Sequence, residues 1–189
     1  LAHLNMVLED SFNASSMMLE SLLPLCSKPA CFGDDFGRGY TGRRLAWESS
    51  LKLFGYDPSE VPYYRANERE SRVREKSREI LSLPREERPD FIFCFNDFWA
   101  ILFKRTMREM GIPDHEIILA GYDGHPLTAD LGISTVRVDG RQKGRLGMYM
   151  VQSLMEGVLE EPAYHSVCGK VILAENAIRE YCAAKKDLK

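Results

Sequence analysis

A five-residue apolar run, Phe91-Ile92-Phe93-Cys94-Phe95, does most to limit what this chain can fold into. It is short, continuous and apolar on both alternating sides, the pattern of a strand covered on both faces in a parallel sheet. Asn96-Asp97 follows at once, and then an apolar segment of helical character from Phe98. The reading is strand, tight turn, helix. Asp97 is placed to cap that helix, because its carboxylate can accept from the free N–H groups of the first turn. Asn96 then stands at the carboxyl end of a buried strand, where open α/β sheets bind ligands. It reads equally as a plain turn residue.

The same alternation runs along the chain. Strands are expected at Leu4–Leu8, Ala30–Phe32, Val61–Tyr64, Glu116–Ala120, Ser134–Val138 and Lys170–Ala174. Helices are expected at Ala14–Leu25, at Tyr40–Phe54 with Tyr40, Trp47, Leu51 and Phe54 at helical spacing, and at Asn67–Leu83. Two more run from Asp97 to Met110, stopped by Gly111-Ile112-Pro113, and from Lys143 to Gly157. The tail beyond Ala183 is polar and reads as loose. Strands alternating with helices predict an α/β protein with a doubly wound parallel sheet.

A length of 189 residues with 44% apolar and 28% charged residues supports a sizeable core. The net charge of −3 gives no reason to expect this segment to grip nucleic acid by itself. No apolar run reaches the roughly 20 residues that span a bilayer. Leu1-Ala2-His3-Leu4 forms no signal peptide and lacks a starting Met, so the chain reads as a fragment. Five cysteines without metal-type spacing read as reduced thiols in a cytoplasmic protein, with no metal and no cofactor expected.

Four other features bear on chemistry. Gly37-Arg38-Gly39-Tyr40-Thr41-Gly42 fits the dinucleotide fingerprint G-x-G-x-x-G. Asp34-Asp35 stand between it and the strand, and two carboxylates would repel a pyrophosphate. His125 beside Asp123 could serve acid–base work, but no nucleophile motif accompanies it. Arg43 and Arg44 open a helix, where the dipole disfavours a cation, so either one reaches into a cleft or both make surface ion pairs. Finally, Phe98-Trp99-Ala100-Ile101-Leu102-Phe103 is apolar around the whole helix; a subunit interface or burial within the chain would account for it.

Arg43 with Trp47, Leu51 and Gly55, then Phe95-Asn96-Asp97-x-x-Ala100, Gly111-Ile112-Pro113 and Ala120-Gly121-Tyr122-Asp123, followed by Ser134-Thr135-Val136-Arg137, Gly144 and Ile178-Arg179-Glu180, together resemble the LacI/GalR family of transcriptional regulators. The resemblance covers nearly the whole chain, but only the later part of that family's effector-binding domain. It implies two α/β lobes of periplasmic-binding-protein type (type I) joined by three crossovers. Residues 11–138 and 170–182 would form the C-terminal lobe, and 139–166 a return segment of the N-terminal lobe. The family's DNA-binding domain and most of its first lobe would be absent. Arg43, Asn96 and Asp123 fall on effector-binding positions, with Asp10 near a crossover. Phe98, Trp99, Leu102, Phe103 and Leu127 fall in dimer-contact segments. Val138 and Gly140 depart from the family's polar and bulky cleft residues.

The expectation is a non-enzymatic, cytoplasmic, effector-sensing domain of a homodimeric regulator. It would bind a small molecule of sugar type and act on operator DNA through a domain outside this chain. The competing readings are a periplasmic sugar-binding protein of a transport system, and an NADP-dependent enzyme built on the glycine motif.

Overall fold

The computed structural model describes residues 5–33, 40–65, 69–159 and 162–186. Its main sheet holds β2 (Pro29–Gly33), β3 (Tyr63–Arg65), β4 (Phe91–Cys94) and β5 (Ile118–Ala120), parallel and in the order β3-β2-β4-β5. Parallel bridges from Ala120 to Ser134 and from Asp123 to Arg137 lead on to β6 (Thr135–Arg137). That strand pairs antiparallel with β8 (Lys170–Ile172). A separate pair, β1 (Met6–Glu9) and β7 (Tyr164–Val167), is parallel.

Every residue of β2 and β4 is buried, as the apolar run requires. Cys31 pairs with Phe93 and Phe32 with Cys94, and successive side chains alternate faces, so Phe93 and Phe32 point to opposite sides. Trp47 of α2 (Thr41–Leu53) stacks on Phe93, with ring centroids 6.0 Å apart. Trp99 of α4 (Asp97–Glu109) meets Phe32 edge-on, also at 6.0 Å. Helix α1 (Ser11–Leu22) packs beside α2, and α3 (Glu70–Leu81) beside α4, so each face of the sheet is covered by a helix pair. The sheet is doubly wound, and its order reverses between β2 and β4.

The chain passes between this body and the β1–β7 pair three times: at Asp10, at Val138-Asp139 and at Cys168-Gly169. Asp10 caps α1 by accepting from the Asn13 amide at 3.0 Å. Asp139 caps α6 (Gly140–Met155) by accepting from Gln142 at 2.9 Å. Helix α6 leaves Met148, Tyr149 and Met155 exposed.

Several expectations shift. The described part of the tail is helical: α7 (Glu175–Lys186) runs into it, and Lys185 Nζ bonds Asp90 at 2.9 Å. Strand β7 and the short α5 (Leu127–Asp130) were not foreseen. The proposed interface segment is largely interior. Trp99, Leu102 and Phe103 are at most 2% exposed, because α4 packs against both the sheet and α3, whereas Phe98 and Leu127 stay exposed. An interface cannot use side chains already enclosed by their own chain. No helix among the described residues is long and apolar enough to cross a membrane.

Candidate effector site

The reversal of strand order between β2 and β4 opens a crevice at the carboxyl ends of the strands, where doubly wound sheets bind ligands. Arg43 reaches it from the first turn of α2. Its Nη1 donates to the carbonyl oxygen of Phe95, just past β4. Its Nη2 lies 3.4 Å from Asp123 Oδ1 and 3.6 Å from Glu9 Oε1. The guanidinium sits over Tyr122, 3.8 Å from the ring centroid, a distance at which a partly desolvated cation gains from the π face. Of the two arginines considered from the sequence, Arg43 is the buried one; Arg44 pairs with Glu48 on the surface at 2.9 Å.

The capping role expected of Asp97 falls to Asn96. Asn96 is the cap, its Oδ1 accepting from the Trp99 amide at 2.9 Å. Its remaining Nδ2 lies 3.4 Å from the Tyr40 hydroxyl. Asp97 occupies the first helical position and is 1% exposed. Its carboxylate accepts from Thr135 Oγ1 at 2.8 and 2.9 Å and from the His125 amide at 2.6 Å. Asp97 therefore ties α4 to β6 and to the loop after β5, and does not face a ligand. Burial pushes its carboxyl up, and the bonds from His125 and Thr135 oppose that. Gly121 is required beside it: a Cβ there would stand 2.3 Å from Asp97 Oδ1 and 3.1 Å from its Cα.

Asp123 is held in a left-handed conformation at φ 115°, uncommon for a residue with a side chain and found chiefly where the surroundings enforce it. Its amide donates to Val136 at 2.9 Å. Although 54% of its side chain still meets solvent, burial pushes the carboxyl up to about 6. Arg43 opposes this, while the charges of Asp97 and Glu9 add to it.

Glu9 was missed from the sequence. It ends β1 and faces the main body across the first crossover, joined to Arg43 and, at 3.3 Å, to Lys143 of α6. A residue at the end of a short strand gave no signal of that reach. Asp10, which was expected here, is spent on the α1 cap, though it lines the same groove. That groove, about 620 Å³, is bounded by Glu9, Asp10, Ser11, Gly42, Arg43 and Lys143 among others. Glu9 Oε1, Arg43 Nε and Tyr122 Oη are buried without hydrogen-bond partners. Such orphans are uncommon in native proteins and each calls for an explanation, a bound water or ligand among them. Burial, and then the Glu9 carboxylate close beside it, raise the Tyr122 phenol.

The other motifs find structural uses. Gly42 lies in α2 where a Cβ would come 2.3 Å from Ser11 Oγ, so it permits α1 and α2 to approach closely. Gly37 and Gly39, with Asp34 and Asp35, lie outside the described residues. His125 Nδ1 accepts from the Leu127 amide at 3.2 Å and starts α5.

No protein-family model matches the chain. Over 97 residues it is 30% identical to the arabinose metabolism transcriptional repressor of Geobacillus stearothermophilus, a match covering 49% of this chain and 26% of that one. A regulatory protein of the LacI family from Chloroflexus aggregans superposes with a TM-score of 0.79 at 21% identity, over 88% of this chain and 61% of that one. A LacI-family regulator from Enterococcus faecium with bound ribose superposes with a TM-score of 0.78 at 14% identity, over 89% and 63%. The chain thus spans about a quarter of its curated relative and about three fifths of these solved structures. Its fold is the periplasmic-binding-protein-like α/β fold of the LacI-family regulators.

Proposed function

We propose that this chain is the ligand-sensing part of a LacI/GalR-type transcriptional regulator and binds a small polyhydroxylated effector of sugar type in the groove between Glu9 and Asp123. The observation that carries the reading is the clustering of Arg43, Asp123, Asn96 and Glu9 at the carboxyl ends of β1, β4 and β5. A guanidinium, an amide and two carboxylates offer donors and acceptors in the mixture that sugar hydroxyls, each both donor and acceptor, can satisfy. The orphaned donors and acceptor around them support the same class. Among similar proteins, one is a repressor of arabinose metabolism and another was solved with ribose, which supports a sugar as effector here. The chemistry is recognition, and the protein would be no enzyme.

Residues 11–138 and 170–182 would form one lobe and 139–166, with β1, part of a second. A two-stranded parallel sheet with open edges needs further strands and cover, and the exposed apolar residues of α6 supply a face for them. Glu9 and Lys143 lie on one side of the crossovers and Arg43 and Asp123 on the other. An effector bridging them would alter how the lobes sit, provided that it binds the two arrangements with different affinity. In the whole, cytoplasmic protein, that change would pass to operator DNA through a DNA-binding domain outside this chain, in a homodimer touching at Phe98 and Leu127.

The test is fluorescence-anisotropy titration of operator DNA with the whole protein, with and without a panel of pentoses and disaccharides. A sugar that shifts the DNA affinity supports the reading. DNA affinity indifferent to every sugar, with none bound in calorimetry, would contradict it.

A further inference from the structure

A second pocket lies at the opposite, amino ends of the strands. It is small, about 190 Å³, and is formed where Ser27-Lys28 precede β2, Asp90 precedes β4 and Glu116 precedes β5, with α7 as its remaining wall. Half of its lining residues are charged. Lys28, Arg85, Arg88 and Lys185 face Asp90 and Glu116, so two cations remain in excess.

The carboxylates are already committed. Asp90 accepts from the Ser27 amide and hydroxyl, from the Lys28 amide at 2.8 Å and from Lys185 Nζ at 2.9 Å. These bonds hold its carboxyl below the usual range against the opposing effect of burial. Glu116 is shared by Arg88 at 3.1 Å and Arg85 at 3.7 Å. Lys28 Nζ meets only the carbonyl oxygens of Arg85 and Glu86, at 3.1 and 2.9 Å. Two lining atoms, Arg88 Nε and Tyr181 Oη, are buried with no hydrogen-bond partner, and Tyr181 is only 3% exposed. Burial, and then the Asp90 charge beside it, raise the Tyr181 phenol far above its ordinary value, so it stays a donor.

In the groove at the carboxyl ends the orphans include an acceptor; here both can donate, and the one acceptor beside Tyr181 is the Asp90 carboxylate, already taken by four other donors. A buried donor left alone costs free energy that an acceptor-rich ligand would recover. The space is below the 300–1,000 Å³ typical of a site for a whole organic ligand, which suits a compact oxyanion. We propose that this pocket binds a phosphate group, held by Lys28, Arg88 and Tyr181, as a second ligand site separate from the effector groove. Arginine and a phenol donate to tetrahedral oxyanions with charge-assisted strength. Because α7 forms one wall, the ligand also fastens that helix to the sheet, raising stability through linkage.

The experiment is calorimetric titration of the protein with inorganic phosphate and, separately, with glycerol 3-phosphate, at fixed ionic strength and against chloride as control. Wild type binds at least one of the two. The free ion alone binding assigns free phosphate; the ester binding more tightly assigns a phosphorylated metabolite. Tyr181→Phe, which keeps the ring and its packing, and Lys28→Met each weaken binding about tenfold or more, the expected loss of a hydrogen bond to a charged group. Neither phosphate binding beyond the chloride control, or both variants binding as wild type does, would overturn the proposal.

Discussion

The Arg43 guanidinium sits 3.8 Å over the Tyr122 ring while its Nη2 lies 3.4 Å from Asp123, the next residue in the chain. One side chain from the start of α2 therefore senses the exit of β5 twice, by its face and by its edge. Arg43→Lys keeps the charge but loses the fork and the planar stacking. We expect effector affinity to fall at least about tenfold in calorimetry, with far-UV circular dichroism unchanged; full affinity in the lysine variant would show that the fork is not used.

Asp123 gives a pH signature. Its folded value of about 6 lies above its ordinary 3.8, so the native state takes up a proton that the unfolded chain does not until lower pH. This group therefore weighs against stability above pH 6, and the burden lifts as pH falls through 6 toward 4. Asp123→Asn should flatten that part of the stability profile in denaturant titrations at successive pH values. In the wild type, effector affinity should decline over the same fall in pH, if the carboxylate proposed to accept sugar hydroxyls is neutralised. A pH-independent affinity between 7 and 5 would argue against a role for Asp123.

Asn96 caps α4 through its Oδ1 and leaves its Nδ2 3.4 Å from the Tyr40 hydroxyl, and two substitutions separate capping from the effector contact proposed for it. Asn96→Ala should cost about 1 kcal/mol of stability through the lost cap. Asn96→Asp keeps the cap and should cost only a few tenths, yet lose the amide donor and with it effector affinity. Equal binding by Asn96→Asp and wild type would leave Asn96 with capping alone.

Trp99 and Phe98 are adjacent and should behave oppositely. Trp99→Ala opens the core between α4 and Phe32 and should cost about 3–5 kcal/mol. Phe98→Glu changes an exposed position, should shift stability by about 0.5 kcal/mol or less, and should turn dimers into monomers in light scattering. A Phe98→Glu protein of unchanged mass would remove this surface from the assembly.

Much of this was legible in the sequence, for local reasons. The run from Phe91 to Phe95 needs cover on both faces, and that alone implied helices on both sides of a parallel sheet. Asn96 and Asp123 stand next to strand ends and Arg43 in the first turn of a helix beside them, so the approach of Arg43 to Asp123 and to the Phe95 carbonyl follows from a doubly wound order. What escaped was non-local. Glu9 enters the groove only because the chain crosses back three times, and nothing in Met6-Val7-Leu8-Glu9 encodes that. The shift of the cap from Asp97 to Asn96 turned on one residue of register at a helix start, which decides whether a carboxylate caps or is buried against Thr135. Trp99, Leu102 and Phe103 read as an interface because the helix is apolar all round and matches family dimer-contact segments; burial within the chain was also open, and nothing local shows that α3 supplies it. The last helix is tied to the sheet in part by Lys185 meeting Asp90, a contact spanning half the chain.

The most direct test of the central claim is calorimetric titration of pentoses and disaccharides into the whole wild-type protein and into Asp123→Ala. The account predicts that at least one sugar binds the wild type, and that Asp123→Ala loses that binding while keeping the wild-type circular dichroism spectrum. Equal sugar affinity in the two proteins would contradict it, because the groove between Glu9 and Asp123 would then not be where the effector sits.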